Sequence, residues 1–176
     1  MAETIHRALD AVYLACIWVA GACIFLMSLF IPWGIFARYV LGTGSQWPEP
    51  ISILLMVIFT FLGAAAAYRA GAHIAVAMLT ERMPPAVRGA MAFAVNVLMM
   101  LISVFMVYYG TSLCIGTWHQ SIPALPWLPV GLTYVPVPLG GLVTLLFVLE
   151  FLLLGDQSQR DVVRFDLADE SAEGAA

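Results

Sequence analysis

Charge is what this chain has least of. It contains no lysine, seven arginines and eleven acidic residues, so 10% of its 176 residues are charged against 62% that are apolar. A soluble domain carries about 25% charged residues, and a mean hydropathy of +0.96 excludes that class. The chain reads as an integral membrane protein. Paired cysteines are also missing: Cys16, Cys23 and Cys114 fall in apolar runs and form no CxxC motif. That excludes a thiol oxidoreductase, whose exchange chemistry passes through mixed disulfides at accessible cysteine pairs. Histidine is sparse, with His6, His73 and His119 in three separate segments. A haem inside a bundle needs facing ligands and a zinc site needs clustered donors, so no metal or cofactor is expected, and each histidine reads as a capping or interfacial residue. Nothing points to an enzyme or to a nucleic-acid partner.

What is present is a set of long charge-free runs. Residues 11–37 carry no charge, nor do residues 50–68, nor any of residues 89–149. About 20 apolar residues cross the hydrocarbon of a bilayer, so the last run is too long for one helix. It is divided by Gln120-Ser-Ile-Pro-Ala-Leu-Pro-Trp-Leu-Pro129, whose prolines favour a loop. These runs predict an all-α membrane protein with four transmembrane helices, at about 10–40, 50–69, 86–110 and 129–154, in one domain over residues 1–155. The continuous runs lack the alternation of a barrel strand. The first run is too long for a signal-peptide core and is expected to be a retained span. Residues 156–176 are acidic and are expected to form a disordered tail.

With four spans, Arg7, Arg69, Arg82, Arg88, Arg160 and Arg164 share one side and Arg38 alone lies opposite. Basic excess marks the cytoplasm, which predicts both termini inside. Arg69, His73, Arg82, Arg88 and Glu150 are the cytoplasmic anchor candidates, and Glu150 is expected to pair with Arg69 or Arg88 because a lone carboxylate in lipid is costly. At the other face Arg38, Trp47 and Glu49 are the hairpin and docking candidates. Arg38 and Glu49 either pair across the tight turn, or act separately as a headgroup anchor and a helix-start residue. Trp33, Tyr39 and Trp47 suit an interfacial aromatic belt.

Between Arg69 and Pro84 the apolar residues recur at helical spacing over a stretch too short to cross. They predict a short amphipathic interfacial helix between spans 2 and 3. Phe61-Leu-Gly63-Ala64-Ala65-Ala66-Ala67 supplies small side chains for close helix approach, with Gly63, Ala64 and Ala67 as packing candidates in span 2 and Gly140 and Gly141 in span 4. Pro136 and Pro138 are expected to kink span 4. A carrier of a charged solute needs polar groups at the midplane, where this chain offers Asn96, Ser103 and a few hydroxyls. The chain therefore reads as a scaffold for a partner, with no substrate-binding residues expected.

Phe36-Ala-Arg38-Tyr39-Val-Leu-Gly, Trp47-Pro-Glu49, Phe61-Leu-Gly-Ala-Ala-Ala-Ala-Tyr-Arg69-Ala-Gly-Ala-His73-Ile and Pro123-Ala-Leu-Pro-Trp127-Leu-Pro-Val-Gly-Leu-Thr-Tyr134-Val-Pro-Val-Pro-Leu-Gly140 resemble, in that order, the small DctQ-like membrane subunit of tripartite ATP-independent periplasmic (TRAP) transporters. The resemblance covers roughly residues 10–155. The chain departs from it at Pro50, where many members carry a second acidic residue. The resemblance implies a non-catalytic subunit of a sodium-coupled importer in the bacterial inner membrane. Its partners would be a large multi-span DctM-like subunit that carries solute and Na+, a periplasmic binding protein that delivers an organic acid such as a C4-dicarboxylate, and membrane lipids. The competing readings are a membrane anchor of a redox complex and a stand-alone small transporter.

Overall fold

The structure, a computed structural model, describes residues 2–43, 46–71 and 85–154. Its elements run α1 (Ala2–Tyr39), α2 (Pro48–Arg69), α3 (Pro85–Gly116), β1 (Ser121–Ile122), β2 (Leu125–Pro129), α4 (Val130–Tyr134) and α5 (Pro136–Leu154). Among the described residues, four helical segments are long and apolar enough to cross a membrane: His6–Tyr39, Pro48–Arg69, Gly89–Gly116 and Val130–Leu153. The chain is thus an all-α, multi-pass membrane protein. The amphipathic helix expected before span 3 and the acidic tail lie outside the described residues.

Two helices exceed the spans expected for them. The first starts at Ala2, where an Arg7–Glu3 ion pair of 2.8 Å supports its opening turn. The third continues to Gly116, as residues 111–115 contain neither proline nor glycine; the Thr111 and Thr117 hydroxyls donate back to the Val107 and Leu113 carbonyls, four residues earlier. A second difference is the stretch expected to be a loop, which forms a short antiparallel hairpin with an irregular register, Ser121 opposite Pro129 and Ile122 opposite Leu125. Prolines are tolerated there because a two-stranded ribbon is all edge. The Val130 amide closes the hairpin onto the Gln120 carbonyl at 2.8 Å. The expected interruption of the fourth span appears as the break between α4 and α5 at Val135. Pro136 and Pro138 there supply no backbone N–H.

The long helices run up, down, up and down. α2 packs against α1 on one side and α5 on the other, while α3 packs on the far side of α5. On α1, Asp10, Tyr13, Cys16, Ala20, Cys23 and Ala37 are buried, with Met27, Phe30 and Gly34 part-buried between them. That spacing of three and four residues is the seam of a shallow left-handed helix crossing. The core itself is thin and lies toward the Arg69 end, built from Tyr13, Cys16, Ala65, Ala66, Tyr68, Phe147 and Val148.

Small residues set the closest approaches. A Cβ on Gly140 would lie 2.6 Å from Phe61 Cβ on α2, and one on Gly141 would lie 2.9 Å from Met106 Cβ on α3. Both α5 contacts thus depend on glycine. On α2 the packed alanines are Ala65 and Ala66, whereas Ala64 and Ala67 lie on the exposed face. A Cβ on Gly63 would meet nothing nearer than its own helix's Phe59, at 3.7 Å. Of the packing candidates on α2, Gly63, Ala64 and Ala67 thus leave the close contacts among the described residues to Ala65 and Ala66. At 100° per residue a helix cannot turn four successive alanines toward the same neighbours.

Candidate functional site

The charged residues of the described helices gather at opposite ends of the bundle. At one end, Arg69 at the close of α2 has 5% of its surface exposed. Its Nε donates to Glu150 Oε2 at 2.7 Å and its Nη2 to Glu150 Oε1 at 2.8 Å, a bidentate clamp across to α5. The same Nη2 donates to Asp10 Oδ1 of α1 at 2.7 Å. His6 Nδ1 lies 3.4 Å from Glu150 Oε1. The Arg69 guanidinium is also 5.4 Å from the centre of the Tyr13 ring and 5.2 Å from that of Phe147, within cation–π range. One group is left over: Arg69 Nη1 is buried without a hydrogen-bond partner.

α1, α2 and α5 thus converge on a single guanidinium. Arginine suits this position because its planar fork serves two carboxylates at once and stacks on rings, which a lysine ammonium cannot do. Gly71, two residues further on and at a φ of +68°, ends α2 in the left-handed region. The structure places Glu150 on Arg69, one of the two partners expected for it. His73 and Arg82 lie outside the described residues, and the Arg88 side chain is likewise not described.

Sequence reasoning missed Asp10, Tyr13 and the pair formed by Tyr68 and Asn96. Asp10 had a signal: it is the last charge before a 27-residue apolar run, residues 11–37, and it starts the buried seam of α1. Tyr68 donates its hydroxyl to Asn96 Oδ1 at 2.7 Å, joining α2 to α3. Other mid-helix hydroxyls turn inward on their own helices, Ser103 donating to the Met99 carbonyl and Thr144 to the Gly140 carbonyl. These polar groups of the described helices are therefore engaged in joining or bracing helices.

At the opposite end Arg38 Nη2 lies 3.5 Å from Glu49 Oε2, with both side chains more than half exposed. The short connection between α1 and α2 brings them together, and Trp47 packs edge-on against Phe30 with ring centres 5.7 Å apart. An exposed pair of this kind contributes about 0–1 kcal/mol, so it adds little to holding the hairpin. Both charges stay open to the surface at this end. Trp127, 72% exposed on β2, stands at the same end of the bundle.

Residues 27–157 match the family described as tripartite ATP-independent periplasmic transporters, DctQ component. Over 142 residues the chain is 28% identical to a provisionally named TRAP transporter small permease protein of Haemophilus influenzae, covering 81% of this chain and 83% of that one. Over 144 residues it is 26% identical to the ectoine TRAP transporter small permease protein TeaB of Halomonas elongata, covering 81% of this chain and 71% of that one.

Proposed function

The chain belongs to the DctQ component of the TRAP transporters, and from that premise we propose that it serves as the fixed scaffold of a three-part importer. As a small permease subunit it is a transporter component and not an enzyme. In the proposed assembly a large multi-span subunit carries the solute together with Na+, and a periplasmic binding protein delivers that solute. The chain lies in the bacterial inner membrane with both termini in the cytoplasm. That orientation puts the Arg69 cluster at the cytoplasmic end and the Arg38–Glu49 pair, with the β1–β2 hairpin, at the periplasmic end.

The observation that carries this reading is the use of polar groups in the helices. Arg69 is joined to Asp10 and Glu150, and Tyr68 to Asn96, across helices, while the faces turned outward are apolar, with Trp18, Phe93, Leu101 and Tyr108 exposed. Such a body holds a partner by packing rather than a solute by charge. The solute is proposed to be a small organic acid. One relative is named for ectoine, which widens the range beyond C4-dicarboxylates.

The test is co-expression with a large multi-span TRAP subunit from the same source. A stable one-to-one complex that survives detergent extraction and size-exclusion chromatography is expected. Uptake in proteoliposomes should require both membrane chains, the binding protein and a sodium gradient. Transport by this chain alone would overturn the scaffold reading.

A further inference from the structure

At the Arg38 end a groove of about 380 Å³ runs between α1 and α2. Its walls are Met27, Phe30, Ile31 and Ile35 from α1 and Ile53 and Met56 from α2, and Arg38 and Glu49 stand at its mouth. The two helices touch within its lining, where a Cβ on Gly34 would lie 3.1 Å from Pro48 Cβ. Ile31, Ile35, Ile53 and Met56 are each about half exposed, so the groove is open along its side to the surrounding hydrocarbon.

Length and charge together indicate what fills it. From Met27 to Arg38 the helix rises about 16 Å at 1.5 Å per residue, roughly half the ~30 Å hydrocarbon thickness. The groove therefore has the depth of one leaflet. At its mouth Arg38 and Glu49 are only loosely engaged, at 3.5 Å, and keep donors and an acceptor turned outward. Beyond the pair lies a second hollow of about 530 Å³, walled by Gln46, Ile122, Ala124 and Thr133 as well as by the pair itself. A guanidinium binds a phosphate through paired N–H groups, and a carboxylate at its side suits an ammonium.

We propose that this groove is a specific site for one zwitterionic aminophospholipid of the adjoining leaflet. An acyl chain lies along α1 and α2, the phosphate sits on Arg38 and the headgroup ammonium on Glu49. The inference needs only that the chain crosses a bilayer, so it stands or falls separately from the transporter reading. It also gives the exposed ion pair a task that its small contribution to stability does not.

Native mass spectrometry of the delipidated full chain in mild detergent tests the site. Phosphatidylethanolamine, phosphatidylglycerol and diacylglycerol with the same acyl chains are titrated in turn. One phosphatidylethanolamine is expected to remain bound at concentrations where the other two do not. Arg38→Gln should weaken its retention about tenfold, the loss of one charge-assisted phosphate contact. Glu49→Gln should bring phosphatidylglycerol level with phosphatidylethanolamine. Met56→Trp, which fills the groove from an exposed position, should remove the adduct while leaving helix content by circular dichroism unchanged.

Equal retention of diacylglycerol would overturn the headgroup assignment, and retention indifferent to all three substitutions would overturn the site. A Met56→Trp chain that keeps its lipid but loses the large membrane subunit would overturn it too, by showing that a partner's side chains occupy the groove.

Discussion

Arg69 holds a full charge in a place with almost no water, and its neighbours explain how. Removing a guanidinium from water costs several kcal/mol. Here two carboxylates and two aromatic faces compensate it, from helices that are far apart in sequence. Taking away one partner should therefore cost more than the cluster as a whole contributes. Arg69→Met leaves the Asp10 and Glu150 carboxylates close together in a buried site and is expected to destabilise the chain by about 3–5 kcal/mol, read as a lower thermal midpoint of the purified protein in detergent. The double variant Arg69→Met, Glu150→Leu should fall less far than the single one. A double loss equal to the sum of the two single losses would show that the pair is not coupled. Glu150 could be expected to pair from the sequence, because a carboxylate at the end of a 61-residue charge-free run, residues 89–149, has to meet a cation. Asp10 was harder to foresee, since it continues a polar N-terminal segment and only the helical seam shows that it points inward.

Among the elements, α2 has two distinct faces. Ser52, Ala65, Ala66, Tyr68 and Arg69 are buried against α1, α3 and α5, while Glu49, Ile53, Met56, Thr60, Ala64 and Ala67 form a continuous exposed stripe. The stripe recurs every three or four residues, as one face of a helix must. Its upper half borders the lipid groove, and its lower half is small enough for another helix backbone to approach. The two faces should respond differently to added bulk. Gly140→Val drives a side chain into Phe61 and is expected to cost about 1–3 kcal/mol of the chain's own stability. Ala64→Val, on the open face, should change that stability by no more than about 0.5 kcal/mol. In co-purification, Ala64→Trp is expected to weaken capture of the large subunit while the isolated chain keeps its thermal midpoint. Unchanged capture would place the partner on another face. The alanine run itself was plain in the sequence, but which two of its members pack was not, because all four are chemically identical and only the phase of the helix separates them.

For the molecule as a whole, the ion clusters act as markers of its two ends. The proposed orientation can be read with a membrane-impermeant maleimide on intact cells. Trp127→Cys, exposed on the hairpin, should label from outside, while Glu3→Cys should label only after the cells are opened. Cys16, Cys23 and Cys114 are buried and free, so the native thiols should contribute little background. The reverse labelling pattern would invert the topology. The sequence by itself determined that the chain is a helical membrane protein with four spans, because hydrocarbon thickness sets the length of an apolar run and lipid forbids unpaired charge. Its ordered motifs also carried the family. Tertiary structure alone decided that α2 lies between α1 and α5, that Asp10 joins Glu150 on Arg69, that Tyr68 meets Asn96, and that Arg38 and Glu49 flank a leaflet-deep groove. The reason is physical. Span length and charge avoidance are properties of one segment in one solvent, whereas a shared guanidinium or a groove between helices depends on the phase and separation of segments that the sequence places tens of residues apart.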